Sequence, residues 1–264
     1  MTVQRLVGLV ADGDVEGVRT AVARAPQLLG GTVERDGTGG WTPLHVAVAL
    51  GQADAVRALA DAGADLTTRT EHGRTPLHVA LQCCPPMVEV LRALGAAVDA
   101  ASAAYLDEVD QLRRELASGA EAGGPDGEDL LAWAAYGGAE GTARLLLEHG
   151  AGTDGGALHA AAGRSWAGMV RLLLDAGADV HRREPDTGRT PLHAAADGAR
   201  PGDAPEVVRV LLAAGADADA TTTDGATALD IARVAAARDR REHAGQAGGH
   251  DAVAELLAAH GATS

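Results

Sequence analysis

Four histidines at related positions are the residues of this chain whose type and spacing could do chemistry. His45 and His78 are 33 residues apart, and His159 and His193 lie in similar surroundings further along. Imidazole binds zinc and exchanges a proton near neutral pH, so such a row would suit a metal site or acid/base catalysis. However, each histidine falls near the start of a separate predicted helix, and neighbouring helices pack about 10 Å apart, too far for two rings to share one zinc ion. We therefore predict no catalytic residue, no metal site and no cofactor here.

Other chemical motifs are each incomplete. Cys83 and Cys84 would be nucleophiles only if their thiols ionised readily, and their place in a predicted turn between helices favours a buried structural role. Residues 163–167 approach a nucleophile elbow but lack its strand and final glycine, and residues 150–155 fit a dinucleotide fingerprint but follow a predicted helix instead of a strand. Residues 12–23 imitate a calcium loop without its closing carboxylate.

The composition excludes further classes of function. All 22 cations are Arg, so Schiff-base catalysis and the lysine of P-loop enzymes are excluded. The net charge of −15 repels nucleic acid and anionic lipid, which makes a basic or mixed partner the better fit. Lys, Phe and Asn, which have A/T-rich codons, are absent, and this indicates a GC-rich bacterial source.

Targeting and redox signals are also lacking. Residues 1–10 have neither the long apolar core nor the cleavage site of a signal peptide, and no stretch approaches the roughly 18 apolar residues of a membrane span. The two cysteines are adjacent, so they build neither a disulfide framework nor a four-cysteine zinc site. We expect a cytoplasmic protein.

The elements that position these residues follow from a recurring turn. The sequence Thr-Pro-Leu-His stands at residues 42–45, 75–78 and 190–193, with weaker copies at 129–132, 157–159 and 227–230. Threonine caps the free backbone donors of a helix start, and proline fits the first turn because its missing N–H had no partner there. Each copy therefore predicts the start of a helix.

A second set of positions marks where helices end. Glycines follow amphipathic stretches at seven positions, and a helix often ends on a left-handed residue that glycine adopts at low cost. These are Gly63, Gly95, Gly119, Gly150, Gly177, Gly215 and Gly261. Together with two predicted helices broken at Gly13, they indicate a stack of repeated helix pairs.

The turn, its 33-residue period and the terminal glycine resemble the ankyrin repeat family. The resemblance implies an all-α solenoid of about eight helix-turn-helix repeats with short loops or β-hairpins, forming one domain over residues 1–264. It also implies that each motif histidine bonds its threonine and the neighbouring loop backbone, and that a partner docks on the concave face. The predicted repeats are approximately residues 1–31, 37–69, 70–98, 99–122, 124–151, 152–182, 184–220 and 221–264.

The middle repeats depart from the period. Gly95 and Gly119 are only 24 residues apart, which predicts a shortened first helix near residues 100–105 and a notch in the groove. The loop at residues 152–156 is also short, whereas extra residues at 234–249 predict a lengthened helix with a charged lobe.

The concave face implied by the resemblance carries the candidate binding residues. Trp41 precedes a capping turn and Tyr136 follows a conforming alanine, so both should point outward, and exposed Trp, Tyr and Arg often anchor interfaces. Trp133 is expected in the core and Trp166 in a structural turn. The candidate partner-binding residues are Trp41, Leu50, His72, Arg74, Glu128, Tyr136, Arg164, Asp186, Arg189 and Asp197.

Two functions remain open. The leading one is a non-catalytic scaffold that recognises a protein through its groove, with an inhibitor or immunity-type neutraliser as the sharper version. The alternative is that the irregular repeats at residues 100–163 form a small-molecule or catalytic pocket, as in an enzyme of bacterial metabolism, with Tyr or Glu as acid/base and Arg as an anion clamp. Its candidates are Glu128, Asp129, Trp133, Tyr136, Arg164 and Trp166.

Overall fold

The chain is mostly helical and divides into two compact units. The computed structural model describes residues 1–123, 129–199, 203–242 and 249–261. Unit 1 comprises Met1–Ser102 and unit 2 comprises Ala103–Ser264. The single domain and the number of repeats stay predictions.

Unit 1 contains helix pairs and one β-hairpin. Its strands are antiparallel, with Val33 opposite Trp41, and they precede the first complete capping turn. The helices are α1 (Val3–Ala11), α2 (Val15–Arg24), α3 (Pro43–Ala49), α4 (Ala53–Asp61), α5 (Pro76–Cys83) and α6 (Pro86–Ala93), with a 3₁₀ turn at Pro26–Gly30, β1 at Val33–Arg35, β2 at Thr38–Trp41, and α7 (Ala100–Tyr105) beginning at the end of the unit.

Unit 2 continues the alternation of short helices. They are α8 (Val109–Ala117), α9 (Leu130–Gly137), α10 (Glu140–Glu148), α11 (Ala157–Gly163), α12 (Ala167–Asp175), α13 (Pro191–Asp197), α14 (Ala204–Ala213), α15 (Ala228–Glu242) and α16 (Gly249–Ala259). Within this unit, α9, α11, α13 and α15 pack on one another in succession, and so do α8, α10, α12, α14 and α16. First helices therefore stack on first helices and second helices on second helices, as a repeat array requires.

The helix starts confirm the capping prediction. The Thr42 hydroxyl accepts the backbone N–H of His45 at 3.4 Å, and Pro43 takes the first position of α3. Asp129 does the same for α9, where its carboxylate accepts the N–H of Ala132 at 2.9 Å. Thr227 caps α15 likewise, because a short side chain with a free oxygen satisfies the exposed donors. The weaker copy at residues 157–159 also begins a helix, α11, but its N-cap is Gly156 and no side chain caps it.

The helix ends confirm the predicted terminal glycines. All seven have a positive φ, between 83° and 107°. The N–H of Gly177 donates to the Leu174 carbonyl at 2.9 Å, and that of the next residue donates to Leu173. Left-handed backbone at these positions closes each second helix, and a residue with a Cβ would adopt it only under strain.

The core is built from leucine, valine and alanine at many small contacts. Alanines of the first helices, such as Ala47, Ala80 and Ala134, are fully buried. They let neighbouring helices approach closely, so the larger leucines fill the space between layers. The largest fully buried side chains are Leu6, Leu44, Leu59, Leu77, Leu81 and Leu91 in unit 1 and Leu112, Leu130, Leu131, Leu146, Met169 and Leu173 in unit 2.

The irregular repeats keep their helices. α7 is cut to six residues, Ala100–Tyr105, as the short spacing predicts. α15 runs for 15 residues, Ala228–Glu242, which confirms that the insertion lengthens a helix. The rest of the predicted charged lobe, residues 243–248, lies outside the described residues.

Candidate functional site

The first motif histidine of unit 1, His45, is a structural residue. The His45 ring is buried, and its Nδ1 faces the backbone N–H and the hydroxyl of Thr42 at 3.2 and 2.8 Å. The N–H can only donate, so Nδ1 accepts and the ring proton lies on Nε2, which donates to the carbonyl oxygen of Arg74 at 3.0 Å. Burial lowers the pKa of His45, although its bond to Arg74 opposes this. The ring is therefore neutral, and both nitrogens are occupied.

The equivalent histidines of unit 2 behave in the same way. His193 Nδ1 faces the backbone N–H of Thr190 at 3.1 Å, and its Nε2 donates to the carbonyl of Ala226 at 3.2 Å. Burial lowers the pKa of His193 as well, and the bond to Ala226 opposes the shift. His159 Nε2 donates to the Arg189 carbonyl at 3.0 Å. These bonds confirm that the row of histidines ties each repeat to the next loop.

His78 is the exception, because it bonds a side chain. Its Nε2 donates to the carboxylate of Asp99 at 2.9 Å, and the same carboxylate accepts the Ser102 N–H at 3.0 Å and Arg69 at 3.2 Å. Burial alone would raise the pKa of Asp99, but the hydrogen bond and charge of His78 and the bonds from Ser102 outweigh it and hold the pKa well below its usual value. Asp99 thus replaces the backbone carbonyl that other repeats supply.

The candidate residues of unit 1 lie at loop tips and at the end of α3. Trp41 ends β2 and is half-buried, with the Arg35 guanidinium 5.4 Å from its ring and the edge of His45 at 6.1 Å. Its Nε1 is buried without a hydrogen-bond partner. Leu50 follows α3 and is 40% exposed. His72 is exposed and Arg74 half-buried in the loop before α5.

Unit 2 brings together an aromatic and arginine cluster. The Arg164 guanidinium stacks 3.9 Å from the ring centroid of Tyr136, and the Tyr105 ring lies 6.2 Å from that of Tyr136. Trp166 is 37% exposed, and its Nε1 donates to the carbonyl of Tyr136 at 3.4 Å. We call Tyr105, Tyr136, Arg164 and Trp166 the Tyr–Arg cluster. Tyr136 is half-buried and not fully outward, because Arg164 covers it.

The sequence points to Tyr136 and Arg164 but misses Tyr105. Tyr105 ends the shortened α7, and it also meets Trp133 edge-on at 6.2 Å. Trp133 is 5% exposed, which confirms its predicted place in the core. The available signal is composition: only five aromatic residues occur in the chain, and four of them fall between residues 105 and 166.

The remaining candidates of unit 2 lie at loop tips and at the end of α13. Arg189 pairs with Asp197, with Nη1 and Oδ2 2.9 Å apart. Asp186 and Arg189 line a cavity of about 380 Å³ together with Asp224 and Ile231. Glu128 lies outside the described residues.

The groups proposed for a catalytic pocket do not all converge. Asp129 caps the start of α9, whereas Tyr136 lies near its other end, seven residues later. At 1.5 Å of rise per residue the two positions are about 10 Å apart along the helix. Asp129 and Tyr136 therefore do not form one acid/base centre.

The other chemical motifs resolve into local structure. Cys83 ends α5 with an exposed, free thiol, so its predicted burial is wrong. Cys84 is the C-cap residue of α5, and its free thiol is half-buried. Asp14 of the calcium-like stretch caps α2 by accepting the N–H of Gly17 at 2.8 Å. Within the four described ranges, no three His, Cys, Asp or Glu side chains are grouped to hold a metal ion.

Comparison with known proteins identifies the family. Residues 19–102, 97–184, 131–224 and 168–263 each match the family model described as ankyrin repeats in three copies. The chain belongs to the ankyrin repeat family. Its helix pairs, capping turns and repeat-to-repeat histidine bonds are thus the ankyrin architecture that the resemblance implied. Among the described residues, no helix is both long enough and apolar enough to cross a bilayer.

Three curated relatives are similar to parts of this chain. The chain is 32% identical over 202 residues to the B-cell lymphoma 3 protein homolog of Mus musculus, covering 73% of this chain and 40% of that one. It is 27% identical over 191 residues to the nuclear factor NF-kappa-B p105 subunit of Gallus gallus, covering 72% and 14%. It is 42% identical over 76 residues to protein phosphatase 1 regulatory subunit 27 of Homo sapiens, covering 28% and 46%. The chain spans less than half the length of each.

Proposed function

We propose that this ankyrin repeat protein is a non-catalytic scaffold that binds a protein partner through loop tips and first-helix ends in each of its units. The observation that carries the proposal is the kind of side chain found at the C-terminal ends of the first helices. Leu50 follows α3, Tyr136 lies near the end of α9, Arg164 follows α11, and Asp197 ends α13. Large apolar, aromatic and arginine side chains left accessible on a rigid support are typical of interface anchors.

The rigidity of that support favours binding over catalysis. His45, His159 and His193 each bond the backbone of the following loop, so little ordering of these loops is needed when a partner docks. The separation of Asp129 from Tyr136 argues against the catalytic alternative. One relative is by name a regulatory subunit of protein phosphatase 1, which agrees with a role exerted by binding.

The proposal extends to inhibition or neutralisation by occlusion. A scaffold that covers the active surface of an enzyme or toxin needs no moving part and no cofactor. The net charge of −15 disfavours nucleic acid and anionic membranes as partners and speeds the approach of a protein with net positive charge. Two free thiols fit a reducing compartment, so we place the protein in the cytoplasm.

Affinity capture with paired variants tests the proposal. The full chain is tagged and used to capture proteins from native lysate, alongside a Trp41→Ala, Tyr136→Ala variant. We expect at least one protein that the wild type retains and this variant loses, because removing aromatic anchors costs more than 1 kcal/mol each at an interface, roughly a tenfold loss of affinity or more.

The matched control changes exposed residues on second helices. Arg57→Ala, Arg144→Ala removes two surface ion pairs, with Asp54 and Glu140, away from the candidate surface. This control should capture the same protein as the wild type. If both variants capture as the wild type does, or if both lose the partner together, the proposed surface is wrong.

A further inference from the structure

We propose that the Tyr–Arg cluster of unit 2 binds an acidic side chain of the protein partner. The inference refines the proposed function and rests on it. In this inference, Arg164 binds the carboxylate of an aspartate or glutamate, and the neighbouring rings contact the apolar residues that flank this carboxylate.

The starting point is a cation that lacks an anion. Arg164 makes no hydrogen bond or ion pair through its side chain to any residue of the described ranges, and its Nε is buried without a partner. Some arginines form ion pairs with carboxylates, as Arg189 does with Asp197 and Arg144 with Glu140. Arg164 instead places its guanidinium over the ring of Tyr136. In a chain with 37 acidic residues against 22 basic ones, an unpaired arginine is not explained by a shortage of carboxylates.

The stacking on Tyr136 determines what Arg164 can still bind. A guanidinium with its face against a ring, here 3.9 Å from the centroid, has N–H donors left at its edge. The Nε of Arg164 is buried, so the donors that a partner can reach are those of the two Nη atoms. Arginine keeps its charge at any ordinary pH, so this edge needs an acceptor. A carboxylate matches it with two parallel hydrogen bonds, and such charge-assisted pairs are among the strongest in proteins.

The cluster is held in place before any partner arrives. Trp166 donates its Nε1–H to the Tyr136 carbonyl, and it packs so closely on Gly138 that a Cβ there would lie 2.7 Å from the indole ring. Gly137 approaches the Tyr105 carbonyl in the same way. Because neighbouring repeats fix the rings, Arg164 loses little freedom on binding, and this preorganisation favours affinity.

The surroundings favour one carboxylate over a polyanion. Trp166 and Tyr136 offer apolar surface beside Arg164, and the nearby pair Arg189 and Asp197 is already neutralised. The strong negative net charge opposes phosphate-rich ligands. An acidic residue flanked by apolar side chains, within an otherwise neutral or basic segment, fits both features.

A peptide selection tests the inference. Random dodecapeptides displayed at the free end of a phage coat protein carry no free carboxyl terminus, so any carboxylate comes from a side chain. The library is selected on the full chain. Enriched peptides are synthesised with blocked termini. Their affinities for wild type, Arg164→Ala, Arg164→Lys, Tyr136→Ala, Trp41→Ala and the control Arg144→Ala are measured by fluorescence anisotropy.

We expect the peptides to contain one acidic position whose change to the amide weakens binding about tenfold, the range for a charge-assisted hydrogen bond at a partly exposed site. Arg164→Ala should weaken binding equally, and it should abolish the effect of the acid-to-amide change. Arg164→Lys should also weaken binding, because lysine neither stacks nor presents a fork. Arg144→Ala should bind as wild type, and thermal melting of each variant confirms that it is folded.

Two outcomes overturn the inference separately. In the first outcome, peptides lose affinity for Tyr136→Ala but tolerate the acid-to-amide change, or the losses of affinity from the amide change and from Arg164→Ala are additive. Either result refutes the carboxylate site, although the proposal of a binding scaffold still holds. A selection that yields no peptide sensitive to Trp41→Ala or Tyr136→Ala contradicts both the scaffold and the site.

Discussion

At the scale of single residues, the motif histidines show how burial and hydrogen bonding select one protonation state. His45 and His193 each accept at Nδ1 and donate from Nε2, which only a neutral ring can do. A residue type known for proton transfer and metal binding is used here as a fixed two-sided connector. Its chemistry is suppressed because both nitrogens are occupied and the charged form is disfavoured by burial.

The lowered pKa values predict acid sensitivity. The unfolded chain protonates these histidines near pH 6.5, whereas the folded chain does so only at lower pH. The contribution of these neutral histidines to folding stability is therefore complete above pH 6.5, and it is lost as the pH falls from 6.5 through the folded-state pKa. Each contributes a slope of up to about 1.4 kcal/mol per pH unit. In urea titrations below pH 6.5, His45→Gln and His193→Gln should each flatten the pH dependence.

A loop histidine supplies the control for this measurement. His72 is exposed, so His72→Gln should keep the wild-type pH profile. At pH 7.5 the two core variants should be less stable than wild type by about 1–3 kcal/mol, because they leave buried groups without partners. Identical profiles for His45→Gln and wild type would contradict the assignment of a neutral ring.

At the scale of elements, α7 depends on a single carboxylate. Asp99 caps this six-residue helix, and its carboxylate also accepts hydrogen bonds from His78 and Arg69. Asp99→Asn keeps a capping oxygen but removes the charge, and we expect a loss of about 2 kcal/mol at pH 7, discounted for partial exposure. The lowered pKa of Asp99 means that this stabilisation is present above pH 3.8 and is lost as the pH falls below it.

Chemical denaturation at pH 7 and pH 3 measures both parts of the prediction. The difference between wild type and Asp99→Asn should shrink at the lower pH, because there the unfolded wild-type chain takes up a proton at Asp99 while the folded chain keeps the carboxylate. Asp110→Asn is the control, because its carboxylate is 86% exposed and its ion pair with Arg113 should contribute at most about 1 kcal/mol. A constant difference at both pH values would exclude the charge as the cause.

The approach of α13 to α11 depends on a missing side chain. A Cβ at Gly198 would overlap the Gly163 carbonyl, although the φ of Gly198 is ordinary at −92°. Gly198→Ala should therefore push the two helices apart and cost about 2–3 kcal/mol, as overpacking does. Gly156→Ala is the matched control, since nothing lies within 4 Å of its Cβ. Urea midpoints compare the two, and equal midpoints would refute the steric explanation.

These elements also show what the sequence could and could not predict. Thr42, Pro43 and the terminal Gly63 act through neighbours a few residues away, so their roles follow from local chemistry. The stacking of Arg164 on Tyr136 joins residues 28 positions apart and depends on how a shortened repeat packs. The exposure of Cys83 depends likewise on the orientation of a turn. Neither is encoded in a local pattern.

At the scale of the whole molecule, net charge affects stability. The surface ion pairs are exposed, and each contributes about 0–1 kcal/mol to the free energy of unfolding. The net charge of −15 means that excess negative side chains repel one another across the folded chain. Raising NaCl from 20 to 300 mM should screen the repulsion and stabilise the protein by about 1 kcal/mol, which for a chain of this size raises the Tm by about 2–4 °C.

Differential scanning calorimetry at matched pH checks the salt effect. Sucrose at equal osmolality is the control, because it leaves electrostatics unscreened. A fall in Tm with NaCl would mean that attractive pairs outweigh the net repulsion.

The bond from each motif histidine to the next repeat has an evolutionary consequence. His45 and His193 recognise a backbone carbonyl, which every amino acid provides, so the following repeat can be duplicated, exchanged or rewritten without losing the junction. His78 recognises the side chain of Asp99 instead. A module inserted after the helix pair α5 and α6 must therefore supply its own aspartate, so a specific residue constrains the order of the modules at this junction.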